Sequence, residues 1–313
     1  MGTFAGVSVP AADAGRLDAA VDAVQPIFKT FEQRLSLYNP TSELSRVNAA
    51  AGGAAVPVNP ATRQVIALAR RYAEATGGAF DPTVGPVVRA WGFSGGKTPT
   101  AEPDSALISN LLAVTGWQHI RVTDDGISLA LPGMKLDLGG IAKGFAVDVA
   151  YEAVRDAGFQ DALVDLGGNM RTLGHGRKGV PWTIGVRNPF DREDLVGVLR
   201  IPSGMAVATS GNYERFVTIA GKRYAHIFDP RTGRPVTGMA GVTVVSPTAV
   251  EADALSTSLF VLGPEASKPV LSCLSGNEAV FIPDEQPPRL IVTPGFRRHF
   301  TPAPEWAERI TDW

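Results

Sequence analysis

The chain has 313 residues, 44% hydrophobic and 19% charged, enough to bury an extensive core in one large domain or two intimate ones. A net charge of −2 without a lysine and arginine cluster argues against nucleic acid or an anionic membrane surface as the main partner. No apolar run approaches the ~20 residues that span a bilayer, and the single Cys273 excludes an intrachain disulfide or a cysteine-built metal site. The N-terminus has no basic stretch followed by an apolar one, so the expectation is a protein without a membrane span, cytoplasmic as the sequence stands, or periplasmic if a leader was trimmed. Beside Val270, Leu271 and Leu274, Cys273 is expected in the core.

After a strand-like stretch over residues 3–9, Leu17, Val21, Val24, Phe28, Phe31 and Leu35 recur at intervals of four and three. That spacing predicts an amphipathic helix, with Asp13 as N-cap and a bend or break at Pro26. Tyr38 precedes an Asn39-Pro40 turn, where its ring either caps the core or faces a planar ligand. Asn59-Pro60 opens a second helix that Gly77-Gly78 closes. The loop that follows, Gly77-Gly-Ala-Phe-Asp-Pro-Thr-Val-Gly85, exposes backbone around Asp81 and is a ligand-contact candidate. Gly95-Gly96-Lys97 is no P-loop, because the upstream glycine and the preceding strand are missing.

From residue 120 onward strands dominate. A hairpin is predicted over 120–123 and 127–131, and further strands over 182–186, 196–201, 205–208, 216–219 and 224–228. A strand-rich middle flanked by helices predicts an α+β fold rather than a doubly wound sheet. The tail from Pro283 to the C-terminus is proline-rich, with one strand-like stretch at 290–292.

Within this middle, Met134-Lys-Leu-Asp-Leu-Gly-Gly-Ile-Ala-Lys-Gly144 reads as strand, tight turn and helix. Asp137 ends the strand, Gly139 and Gly140 permit close backbone approach, and the helix start aims unpaired N–H groups at whatever lies above. Such a terminus suits an anion, and Lys143 in its first turn is explained most simply by a phosphate there. Glycine at such a turn and lysine on a solvated face also have an ordinary structural reading. The pattern recurs as Val164-Asp-Leu-Gly-Gly-Asn169, which suggests an internal duplication with the two strand ends side by side.

Two more constellations carry chemistry. His226 stands at a strand end, before a loop bearing Asp229, Arg231 and Thr232, in the manner of a general base or of a hydrogen-bonded structural histidine. Thr248 and Glu251 form a capping box that starts a helix ending by Gly263. Asp253 and Thr257 share one face of that helix, either as hard oxygen donors for Mg²⁺ or as an ordinary surface pair.

Taken together these motifs resemble the FAD:protein FMN transferases, the ApbE-like flavin transferases. The likeness runs through Ser42-Glu-Leu-Ser-Arg-Val-Asn48, Gly77 to Pro86, Leu136 to Gly144, Val164 to Asn169, Ala208-Thr-Ser-Gly-Asn-Tyr-Glu-Arg215, His226 to Gly233 and Glu251 to Thr257. The resemblance implies a single large domain over residues 1–313 with an internally duplicated, strand-rich core flanked by helices. It implies Mg²⁺-dependent cleavage of FAD, transfer of FMN through a phosphoester to a threonine of an acceptor flavoprotein, and release of AMP. By motif, the Gly140 backbone oxygen, Asp253 and Thr257 would hold Mg²⁺. Met1, Tyr38, Ala79, Phe80, Asp81, Asp137 and Lys143 would contact FAD, and His226 would be the base. Some members carry a carboxylate where this chain has Ser256, which implies fewer charged ligands here. The competing functions are a Mg²⁺-dependent FAD pyrophosphatase and a non-catalytic FAD-binding protein.

Overall fold

The computed structural model describes residues 3–94 and 99–313. Helices pack on a large, mostly antiparallel sheet, an α+β architecture. The chain divides into two compact units. One comprises the residues up to Thr30 with Ile141–Gly211 and Gly238–Trp313, the other Phe31–Gly140 with Asn212–Thr237.

The first unit is built on an eight-stranded sheet in the order Ala5–Ser8, Ala162–Leu166, Asn169–Leu173, Ala206–Gly211, Met239–Ser246, Glu278–Pro283, Leu290–Val292 and Ile310–Asp312. Neighbours are antiparallel except the last pair. Met239–Ser246 is buried along its whole length, as a central strand covered on both faces must be. Alternation sorts the side chains. Val207, Val280 and Ile282 pack against Ile184, Val196, Leu199 and Ile201 of a three-stranded sheet formed by Trp182–Arg187, Leu195–Ile201 and Phe300–Pro302. Helices Ala142–Asp156 and Ala249–Cys273 cover the opposite face and pack on each other. Each fully buried aliphatic side chain in these layers contributes roughly 1.5–3 kcal/mol by leaving water.

In the second unit, side-chain caps fix the helix starts. Ser42 accepts from Ser45 N at 3.0 Å, Asn59 from Ala61 N at 3.0 Å and Asp104 from Leu107 N at 2.7 Å, each cap worth about 1 kcal/mol. Its hairpins are Ile120–Thr123 with Gly126–Leu129 and Phe216–Ile219 with Lys222–Ala225. Trp91 anchors a core with Val87, Ile108, Ile219, Tyr224 and Phe228, and its indole N–H donates to the Gly233 carbonyl at 3.1 Å. No helix among the described residues is long and apolar enough to cross a membrane.

Several local expectations are corrected. The first helix, Leu17–Leu35, does not break at Pro26, and Asp13 lies in a preceding 3-10 turn, Ala11–Arg16, rather than capping it. Leu17 and Val21 are exposed, so the buried stripe begins only at Ala20 and Val24. Helix Ala249–Cys273 breaks at Gly263, whose φ of 72° leaves the helical region, and then resumes from Pro264, a residue suited to a first helical turn. Cys273 is exposed, because the resumed segment turns Val270 and Leu271 inward and leaves its last residue outside.

The residues before Gly139 form no strand beyond a bridge from Lys135 to Val84. Their backbone is satisfied otherwise. Asn48 accepts from Leu136 N at 2.7 Å and donates to Leu136 O at 2.9 Å, while Asp137 N donates to Pro82 O at 2.7 Å. The second Asp-Leu-Gly-Gly does end a strand. There Leu166 pairs with Asn169 across Gly167 and Gly168, at φ of 60° and 84°, the left-handed pair that a two-residue hairpin turn requires. The two copies therefore occupy different settings, not adjacent strand ends of one sheet.

Candidate functional site

In the first unit the site residues gather where two helices begin. Asp253, in the second turn of Ala249–Cys273, is 3% exposed. One of its oxygens accepts from Gly144 N at 2.9 Å, and the other lies 3.3 Å from Lys143 Nζ. Gly144 makes this possible, for a Cβ there would lie 2.8 Å from Asp253 Cβ. Thr257, one turn beyond Asp253, has its hydroxyl 3.3 Å from that of Ser210. Ser210 also meets Ser256 at 2.9 Å, and Ser256 donates to the Asp253 carbonyl at 3.0 Å. These hydroxyls bond one another and the Asp253 backbone carbonyl, while the carboxylate itself meets Gly144 N and Lys143 Nζ.

Among the described residues no three His, Cys, Asp or Glu side chains cluster so as to hold a metal. Asp253 and Thr257, four apart on one helix face, offer a carboxylate and a hydroxyl, hard oxygen donors of the kind that Mg²⁺ takes.

In the second unit the loop after helix Pro60–Ala75 meets the segment carrying Asp137, through the Asp137 N to Pro82 O bond. Ala79, Phe80 and Asp81 are buried. Asp81 secures the loop itself, accepting from Thr83 N at 2.8 Å, Thr83 Oγ1 at 2.6 Å and Trp117 N at 3.0 Å. Burial raises its carboxyl above the usual 3.8, and those hydrogen bonds pull in the opposite direction. Asp137 turns an oxygen back to Gly139 N at 2.8 Å, shaping the glycine turn that ends at Gly140. Tyr38, at 67% exposure, presents its ring to solvent rather than capping the core. Met1 lies outside the described residues, as does the Gly95-Gly96-Lys97 stretch.

His226 follows the strand Lys222–Ala225 and is half-buried. Its Nδ1 is 3.2 Å from the Arg215 carbonyl, and its ring centroid is 6.5 Å from that of Phe93. A proton on Nδ1, donated to that carbonyl, puts the basic lone pair on Nε2. Asp229, three residues on, is committed to Arg231, whose Nε and Nη2 reach its two oxygens at 2.8 and 2.9 Å.

Reading by motif assigned no role to Asn48, Trp117, Asp148 or Ser210. Asn48 and Ser210 stand inside quoted motifs and so carried a signal. Asp148, beyond the end of the Met134 to Gly144 stretch, and Trp117 are recognisable only from contacts.

A helix start with a lysine in its first turn, beside a buried carboxylate that has a hydroxyl one turn further along its own helix, suits a protein that handles phosphate groups with a hard cation. The family model described as the ApbE family matches residues 1–281. The FAD:protein FMN transferase of Escherichia coli strain K12 is 35% identical over 276 residues, 87% of this chain and 79% of that protein. The protein of the same name from Klebsiella pneumoniae strain 342 is 36% identical over the same shares. The solved flavin transferase ApbE from Vibrio cholerae superposes with a TM-score of 0.84 at 31% identity, covering 96% of each chain. The ApbE protein from Thermotoga maritima gives 0.84 at 30%, covering 95% of this chain and 99% of that one. The chain belongs to the ApbE family.

Proposed function

We infer that this chain is a FAD:protein FMN transferase, which splits FAD at its diphosphate, attaches FMN to a threonine of an acceptor flavoprotein and releases AMP. The observation that carries the reading is the convergence of Lys143, the Gly144 amide and the buried Asp253 carboxylate at one helix start, in a family whose curated relatives bear that activity in their names.

In this reading Lys143, at the start of helix Ala142–Asp156, binds diphosphate oxygens and favours the charge that develops on them. By motif, Asp253, Thr257 and the Gly140 carbonyl would hold Mg²⁺. The ion, when bound, neutralises phosphate charge and polarises the bond that breaks. Tyr38 offers its exposed ring to a planar part of FAD, and the motif match assigns Met1, Ala79, Phe80, Asp81 and Asp137 to FAD contact as well, with Asp81 shaping its own loop rather than donating charge. His226 takes the threonine proton at Nε2 as that oxygen bonds to the phosphorus of the FMN half, the anhydride P–O bond breaks, and AMP departs.

Incubation with FAD, Mg²⁺ and a threonine-bearing acceptor flavoprotein, followed by mass measurement of the acceptor, tests the reading. An acceptor heavier by FMN, with AMP released in equal amount, is expected. AMP and free FMN with an unmodified acceptor would show a pyrophosphatase, and intact FAD would show a carrier.

A further inference from the structure

Asp148 is a largely buried carboxylate that the chemistry above does not use. It lies one helical turn beyond Gly144. Its Oδ1 accepts from Ala249 N at 2.8 Å and from Arg171 Nη1 at 2.9 Å, and its Oδ2 accepts from Val250 N at 2.9 Å. Ala249 and Val250 are the first two residues of helix Ala249–Cys273, whose opening amides have no partner within the helix. Asp253 of that helix returns the contact, because its Oδ2 accepts from Gly144 N, the third residue of helix Ala142–Asp156. Each helix therefore supplies a carboxylate to the orphan amides of the other.

Arg171 fixes the far side of Asp148. Its Nε donates to the Gly204 carbonyl at 3.2 Å and its guanidinium lies 4.0 Å over the Tyr151 ring. The start of helix Ala249–Cys273 is thus held against helix Ala142–Asp156 by Asp148, and Asp253 lies one turn further along the helix so held.

We propose that Asp148 is a positioning residue, which seats the start of helix Ala249–Cys273 and thereby sets the Asp253 carboxylate against Gly144 and Lys143. The proposal rests on the transferase reading only in taking Asp253 as a cation ligand. An asparagine at 148 offers one acceptor oxygen to three donors and points an NH₂ group at one of them, so the helix start must shift.

The test uses the full chain with Asp148→Asn and reads two quantities. The first is hydrogen exchange at the Gly144 amide by NMR in metal-free protein, with the Gly168 amide, bonded to Asp165 at 2.8 Å, as internal reference. The second is binding of Mn²⁺, a paramagnetic stand-in for Mg²⁺, followed by electron paramagnetic resonance. Exchange at Gly144 is expected to accelerate while Gly168 is unchanged, and Mn²⁺ affinity to fall about 10–100-fold, the usual loss when a residue orienting a ligand is removed. Unchanged Mn²⁺ affinity, where the unaltered protein binds Mn²⁺, overturns the proposal. If the unaltered protein binds no Mn²⁺, the metal reading of Asp253 falls and Gly144 exchange alone decides: faster exchange upholds the positioning, unchanged exchange overturns it. If Asp148→Asn does not fold, Arg171→Gln, which keeps both amide bonds but removes the cation, takes its place. The same direction and a smaller change are expected, and values equal to the unaltered protein overturn the proposal.

Discussion

Gly144 lies so close to the neighbouring helix that a Cβ there would meet the Ala249 carbonyl oxygen at 2.1 Å. In an exposed helix, alanine in place of glycine gains about 1 kcal/mol of propensity. Here the overlap with backbone outweighs that gain, since overpacking of this kind costs roughly 1–3 kcal/mol or more. Gly144→Ala should therefore melt below the unaltered protein and need more Mg²⁺ to release AMP from FAD. A variant that melts at or above the original would show that the helices part without strain. His226 poses a different question, because a half-buried histidine beside a carbonyl serves structure as readily as chemistry. As the base, His226→Asn should keep its FAD affinity and melting temperature but lose transfer by about 10²–10⁴-fold. Early melting with a normal rate per folded molecule would assign the histidine to structure. Asp229 would be a poor substitute, since both of its oxygens are bound by Arg231.

At the scale of elements, one tetrapeptide takes two forms. Asp137-Leu-Gly-Gly140 and Asp165-Leu-Gly-Gly168 share their residues, yet one enters a helix from an extended segment outside any ladder and the other turns a hairpin. The difference comes from partners distant in sequence. Asn48 takes both backbone groups of Leu136, whereas Leu163, Val164, Asp165 and Leu166 find Ser8, Val7, Gly6 and Ala5 on a neighbouring strand. Periodicity and turn chemistry made the helices at 60 and 142 and the hairpin at 120 legible, because those elements are specified by residues close together. The break at Gly263 was legible as an end but not as a restart. Thr257 was legible as the partner of Asp253 one helical turn on, but the Ser210 hydroxyl was not, because it reaches Ser256 and Thr257 from a strand distant in sequence. Asn48→Ala tests the clamp. It leaves the fully buried Leu136 with an unpaired N–H and C=O, so a loss of about 1–3 kcal/mol is expected in denaturant melts. A change within a few tenths of a kcal/mol would show that these backbone groups find other partners.

Across the molecule, burial sets the direction in which several carboxylates titrate. Asp81, Asp148 and Asp165 all have carboxyls raised above 3.8, with desolvation the largest cause in each. For such a group the native state still holds its proton at a pH where the unfolded chain has released it. Stability contributed by the group is then greatest at low pH, and it falls as pH rises from about 3.8 through the raised native value. This slope is opposite to that of a salt-bridged carboxylate, whose contribution is fully present above its unfolded pKa and is lost as pH falls through its lowered native value. Asp165 isolates the effect, because the opposing influence on it is a single hydrogen bond from Gly168 N. An asparagine at that position keeps an acceptor for the amide and never ionises. Asp165→Asn should therefore melt close to the unaltered protein below about pH 4 and progressively above it as pH rises through the raised native value, since only the aspartate meets the cost of a buried charge. Thermal melts of the two proteins across that range measure the difference directly. A difference that stays constant with pH, or that favours the aspartate as pH rises, would mean that the Gly168 amide stabilises the carboxylate more than burial penalises it.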